Sequence, residues 1–409
     1  MIFDCLEAII FERRDTMKID RYAPLVSPTS KNELSRRRQA VQAKLQEQGI
    51  DCVLLYSSYL RASGAIRYFL DFPTAGTHAL YGILPAEGQM SVFGHGHKGT
   101  TTVPPSQAYE LETNFAYPFG VTYPFTINFI FDTVLEYAKN KGFKKIGLYR
   151  RGILPYEFVR CLADGIDGSE LVDVDDIIDE IAAVKSPEEI ETQKYIVELH
   201  DTIYAALPAI VRPGKREKDL ANEIQKLAYD LHCEGLNIMI GSGQEKAHHK
   251  HYFFQNKVIE EGDYLDLLVE VSGPGNYYGE VSRMWKLGGD PSPEFMKINN
   301  DSIKIQGIIA EACKPGVPAS KMMEILNEFN RENGYKEEDR FFAHGQGVDL
   351  VQRPLFDYKE TMILQENMFV SIHPGLDNGT LWAMNTDNFI ITPEGAKLLN
   401  ETPQGVVIR

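Results

Sequence analysis

Cysteine is scarce in this chain and never paired. The five residues, Cys5, Cys52, Cys161, Cys233 and Cys313, are scattered over 409 positions with no C-x-x-C among them. That excludes a disulfide framework and a zinc knuckle, and predicts reduced, mostly buried thiols in a cytoplasmic protein. No apolar run reaches the roughly 18 residues of a membrane span, so no membrane partner is expected. The stretch from Cys5 to Phe11 is apolar but short, interrupted by Glu7 and followed by Glu12 and Asp15. It lacks the basic start and small-residue cleavage site of a signal peptide. Positive charge is in deficit as well: 42 Lys and Arg against 58 Asp and Glu give a net charge of −16. Such a surface repels phosphate backbones, which argues against a nucleic-acid partner. No G-x-G-x-x-G follows a strand signal, and neither a phosphate loop nor a G-x-S-x-G turn occurs, so nucleotide and serine-hydrolase chemistry find no support. What remains is ordinary globular material, 43% hydrophobic and 24% charged, long enough for two or three domains with a real core.

Residues 1–30 read as an N-terminal extension. From residue 31 the pattern is amphipathic, with Leu34, Val41 and Leu45 on one helical face and Gly49 ending it. Strand signals follow at Asp51–Tyr56, Tyr81–Leu84, Met90–Phe93 and Lys145–Tyr149, with a helix predicted near 127–141. Strands alternating with helices predict an α/β layer domain over 31–183. Ser186-Pro187-Glu188-Glu189 is a strong helix start, with a cap, a first-turn proline and acids at the positive dipole end. It marks the opening of a second domain over 187–409. That domain contains an echo. Pro213-Gly214 precedes a helix carrying Leu220, Ile224, Leu227 and Leu231, and Pro315-Gly316 precedes one carrying Met322, Ile325, Leu326 and Phe329. A long helix precedes each, and β-type sequence with a histidine follows each, at His251 and His344. The repeat predicts a duplicated α-α-β unit whose halves share a sheet.

Several segments resemble the creatinase, prolidase and aminopeptidase P family. They are Lys185-Ser186-Pro187-Glu188-Glu189-Ile190 at the domain junction, Gly262-Asp263 opening a strand, and Tyr277-Tyr278-Gly279-Glu280-Val281-Ser282-Arg283. Ala343-His344-Gly345-Gln346-Gly347, Ile372-His373-Pro374-Gly375-Leu376, Met384-Asn385-Thr386-Asp387 and Thr392-Pro393-Glu394-Gly395 complete the set. The resemblance implies a creatinase-like α/β N-terminal domain, an α+β pita-bread domain and a homodimer.

The departures from that family carry the functional information. Its metallopeptidases hold two divalent ions with two aspartates, a histidine and two glutamates. Here those positions fall at Val269 (or Glu270 if the Ser272–Gly275 turn shifts the register), Glu280, His344, His373 and Thr386. Bridging two adjacent cations needs several carboxylates, and Val269 and Thr386 supply none. The expected cofactor is therefore none. The alternative is one ion such as zinc, iron or manganese on Glu270, Glu280, His344 and His373.

Creatinase, within the same family, works without metal, and its acid/base histidine corresponds to His251. An imidazole titrates near neutrality and can move a proton to a leaving nitrogen. Its carboxylates become Ser282 and Asn385, with Glu280 offered one pleat away on the same strand face. The expected enzyme is a creatinase-like hydrolase of a C–N bond in a small-molecule substrate. His251, Glu280, His344 and His373 would be catalytic, and Glu270, Tyr278, Arg283 and Asn385 would contact substrate. The alternatives are an Xaa-Pro-type peptidase with one rewired metal, a lyase acting on a small zwitterion, and a binding protein without catalysis.

Overall fold

The computed structural model describes residues 29–58, 64–72, 79–97, 100–103, 109–117 and 124–409, with 124–129 as backbone only. Of the expected N-terminal extension, residues 1–28 lie outside these. The chain divides into two compact units at Ala182/Ala183.

In the first unit, Ser30 caps helix α1 (Lys31–Glu47) by accepting from the Glu33 amide. Strand β1 (Cys52–Ser57) and helix α2 (Gly64–Leu70) follow. Next come β2 (Leu80–Pro85), β3 (Met90–His95), β4 (Leu111–Tyr117) and α3 (Pro124–Lys141). The unit closes with β5 (Lys145–Leu148), α4 (Tyr156–Gly165), β6 (Glu170–Asp173) and α5 (Asp175–Ala183). One sheet orders these strands β4-β3-β2-β1-β5-β6, with β1 antiparallel to β2 and parallel to β5. Leu54, Ile83, Phe93 and Ile146 on one face pack against Phe131, Val134, Phe158 and Leu162 of α3 and α4. Ile66 of α2 meets Gly82 on the other face. Burial on both faces explains the near-continuous apolar runs of β1 and β2.

The second unit opens at Ser186. Its hydroxyl accepts from the Glu189 amide, and the Glu189 carboxylate accepts from the Ser186 amide. This reciprocal cap starts α6 (Pro187–Ile210). Then come α7 (Glu217–Asp230), β7 (Gly235–Gly243), β8 (Tyr264–Ser272) and β9 (Tyr278–Lys286). A second series follows: α8 (Pro293–Ala312), α9 (Lys321–Asn333), β10 (Ala343–Gly345), β11 (Gln352–Leu355) and β12 (Phe369–Ile372). Last are β13 (Gly375–Asp377), β14 (Trp382–Met384), β15 (Asp387–Thr392), β16 (Gly395–Leu398) and β17 (Val407–Ile408).

The two series repeat one another bond for bond at their turns. Gly214 and Gly316 both adopt left-handed φ, 91° and 88°, which glycine alone adopts without cost. Their amides donate to Ile259 O and Leu364 O, and bridges Arg216–Val258 and Pro318–Ile363 follow each. The sheets are ordered β17-β9-β8-β7 and β11-β10-β12-β15-β16. The expected common sheet is thus, beside a separate β13–β14 pair, two sheets. They are joined where Ser282 and Thr386 exchange both backbone hydrogen bonds at 3.3 Å.

Candidate functional site

Strand alternation brings the site together. In β8 and β9, Glu270 lies opposite Glu280, Leu268 opposite Ser282 and Asp266 opposite Met284. Positions two apart share a face, so Glu270, Asp266, Glu280 and Ser282 all look one way. The register also settles where the hairpin turns: Val269 pairs with Val281, points to the opposite face and is fully buried.

His344 in β10 and His373 just after β12 are carried to Glu280 by the pairing of Ala343 with Ile372. The Nε2 atoms of His344 and His373 lie 3.5 and 3.6 Å from the same atom, Glu280 Oε1. That oxygen is buried and, among the described residues, has no hydrogen-bond partner. One donor atom from each of the three residues falls within 4.8 Å of the others, the arrangement a metal ion requires. Donors around a tetrahedral zinc with ~2.0–2.1 Å bonds stand about 3.3 Å apart, close to the two shorter separations. His344 Nδ1 lies 3.0 Å from Gly345 O, so Nδ1 carries a proton, donates it to that carbonyl and turns Nε2 toward Glu280. Burial, with the His344 and Arg340 charges, lowers His373 to about 4 against the pull of Glu280. It is therefore neutral at pH 7, the form in which an imidazole nitrogen can bind a metal ion. Two imidazole nitrogens and a carboxylate oxygen facing one small space describe a candidate cation site.

Glu270 does not add a fourth charge. Burial and the adjacent Glu280 carboxylate push its pKa far above the usual carboxylate range, so it holds a proton and donates to Glu280. Burial alone would raise Glu280 as well. The two facing imidazoles, His344 first, and the hydrogen bonds from Ser371 and Glu270 oppose it and bring Glu280 below its ordinary value. Asn237 Nδ2 closes the far side of Glu270. At the remaining family positions, Val269 is apolar and Thr386 offers a buried, unpartnered hydroxyl. The donor set therefore suits one ion.

Three sequence expectations change. His251 is exposed at the start of the turn Tyr252–Phe254 and is not one of the three clustered donors. Lys250 still pairs with Ile240, but the chain leaves strand geometry immediately after it. Arg283 is fully buried and spends its guanidinium on Asp387 and on the carbonyls of Ser282, Thr386, Thr402 and Pro403, leaving nothing for substrate. Asn385 is fully buried, with Nδ2 donating to Asn299 and its backbone held by Ser302 and Gln306. Both are internal pins. Tyr278 sits one pleat beyond Glu280 on the site face, opposite Ser272.

The residue missed is His249. Its Nδ1 lies 2.8 Å from Oδ2 of Asp266, and its backbone amide donates to the same oxygen at 3.3 Å. Asp266 is fully buried and also accepts from Ser282 Oγ at 3.0 Å and Trp382 Nε1 at 3.1 Å. A lone aspartate in the apolar run Tyr264-Leu265-Asp266-Leu267-Leu268-Val269 was the available signal, because a buried carboxylate demands partners. Gly241 lies opposite Asp266. A Cβ there would fall 1.7 Å from the carbonyl oxygen of His248. Gly241→Ala should therefore displace the His248–His249 segment and lower both melting temperature and turnover, checked by thermal unfolding and kinetics.

Residues 191–395 match Metallopeptidase family M24, and residues 37–184 match the Creatinase/Prolidase N-terminal domain. A Xaa-Pro dipeptidase of Pyrococcus furiosus is 28% identical over 278 residues, covering 66% of this chain and 77% of that one. A probable dipeptidase PepE of Mycobacterium tuberculosis is 26% identical over 57% of this chain and 62% of its own length. Among solved structures, a Xaa-Pro dipeptidase from Bacillus anthracis superposes with a TM-score of 0.74 at 20% identity, covering 92% of this chain and 100% of that one. The prolidase from Pyrococcus horikoshii gives 0.72 at 22%, covering 90% and 99%. These likenesses confirm the two-part fold. The family match and the convergent Glu280–His344–His373 donors overturn the expectation that the site needs no cofactor. With half the sequence matched in its second unit and the N-terminal domain matched in its first, the chain belongs to metallopeptidase family M24.

Proposed function

We propose that the chain is a peptidase of the Xaa-Pro class that hydrolyses the C–N bond with one divalent ion on Glu280, His344 and His373. The observation that carries this reading is the unpartnered Glu280 Oε1 between two imidazole nitrogens. The relatives' activities support the substrate class, since the first of them is a Xaa-Pro dipeptidase. A divalent ion at such a site polarises a carbonyl and acidifies water. The chain's own residues do the rest. The Gly345 carbonyl orients His344, and Glu270 keeps Glu280 charged by donating a hydrogen bond to it.

Protein stripped with a chelator should lose cleavage of an Ala-Pro dipeptide. Zinc, manganese or cobalt should restore it with one equivalent bound per chain, measured by elemental analysis beside the kinetics. Full activity in protein shown to be free of metal would overturn the reading, and two tightly bound ions would overturn its stoichiometry.

A further inference from the structure

We propose that His249, oriented by Asp266, is the group that protonates the leaving nitrogen. This rests on the hydrolytic reading above and adds to it a catalytic residue and a positioning residue. The first support is place. Asp266 and Ser282 stand on the face that carries Glu270 and Glu280, and Asp266 Oδ1 is bonded to Ser282 Oγ. Ser282 lies two positions from Glu280, about 7 Å along a strand. His249 is near enough to Glu280 for the two charges to act on each other. The second support is orientation. Asp266 takes Nδ1 and the backbone amide of His249 together, fixing the ring about both ends. Among the described residues no hydrogen bond reaches Nε2, on a side chain still 23% exposed. Trp382 locks the carboxylate from behind through Nε1, and its own ring is covered by His248 at 4.2 Å.

The third support is charge. Burial opposes a cation on His249, and so does the Arg340 charge. The charge and hydrogen bond of Asp266, with the more distant Glu280, overcome both and raise the imidazole above its ordinary value. His248, on the same segment, also faces it. Asp266 is held ionised in turn: burial would raise it, but His249, Trp382 and Ser282 together bring it below the usual range. An imidazolium with one N–H on Asp266 and the other on Nε2 is a proton donor.

The step balances. Water gives its oxygen to the carbonyl carbon and one proton to solvent. The C–N pair leaves on nitrogen, which takes the proton from His249 Nε2. Solvent then returns a proton to His249. One water is consumed and one bond is cut.

The test uses the metal-loaded full chain and an Ala-Pro dipeptide between pH 5 and 9. His249→Gln should lower kcat by about 10²–10⁴-fold while binding zinc as the wild type does. A general acid must be protonated, so wild-type kcat should fall at the alkaline side. Asp266→Asn, which lowers the imidazole pKa, should move that fall to lower pH; a purely structural role would lower kcat equally at every pH. Wild-type kcat in His249→Gln, or an equal loss in His251→Gln, would overturn the proposal. A ring-nitrogen NMR titration of wild-type protein keeps it falsifiable if Asp266→Asn fails to fold: a His249 pKa at or below the ordinary value of about 6.5 overturns it. Wild-type protein that binds zinc yet cleaves no Xaa-Pro dipeptide would instead refute the hydrolytic reading.

Discussion

Glu280→Gln should yield a folded protein that no longer retains a divalent ion and turns over its dipeptide more than about 100-fold slower. The bound is conservative, because changes to residues that merely support a ligand already cost up to about 100-fold. Glu280 is the hinge of the site: both imidazoles address one of its oxygens, and it is the charged member of the three donors. An amide nitrogen or neutral carbonyl in its place leaves His344 and His373 without an anion between them. The substitution also separates stability from binding. It removes a buried charge and relieves Glu270, so the metal-free variant should melt at or above the metal-free wild type. Zinc should raise the wild-type melting temperature by mass action on the folded state and leave Glu280→Gln unmoved. Equal zinc stabilisation of both proteins would place the ion elsewhere.

Local chemistry was the legible part of the sequence. Ser186 with Glu189 is a contiguous signal and became a reciprocal cap. The leucine spacing after Gly214 gave α7, and the two Pro-Gly turns gave matching backbone bonds a hundred residues apart. Motif spacing also brought Glu280, His344 and His373 forward as a group, and the structure clusters their donor atoms, because that spacing fixes which strand each occupies. What failed depended on contacts between distant segments. His249 and His251 are two residues apart on a loop tethered at Lys250, and only the position of Asp266 in space selects between them. The turn after Ser272 could have shifted the register by one residue, which exchanges the faces of Val269 and Glu270. Only the observed pairing of Glu270 with Glu280 decides it.

Arg283 shows the same limit, and its substitution should have the largest effect on stability. In sequence it is an arginine near a site, ready for a substrate carboxylate. In the fold its Nη2 lies 2.5 Å from Asp387 Oδ1, with neither side chain exposed, and four carbonyls fill its remaining donors. Gln404 takes the second Asp387 oxygen. The cluster ties β9, β15 and the segment at 402–404 together, directly beside the Ser282–Thr386 junction of the two sheets. Removing one member of a buried ion pair strands the other, at a cost of about 3–5 kcal/mol. Arg283→Met should lose about that much, read from urea unfolding. Trp285 and Trp382, the chain's two tryptophans, both lie in the second unit, so their fluorescence isolates its transition. Arg283→Met combined with Asp387→Leu should recover much of the loss, since an apolar pair leaves no stranded charge. A substrate-binding arginine predicts the reverse: an unchanged unfolding midpoint, a raised KM, and no recovery from the second substitution.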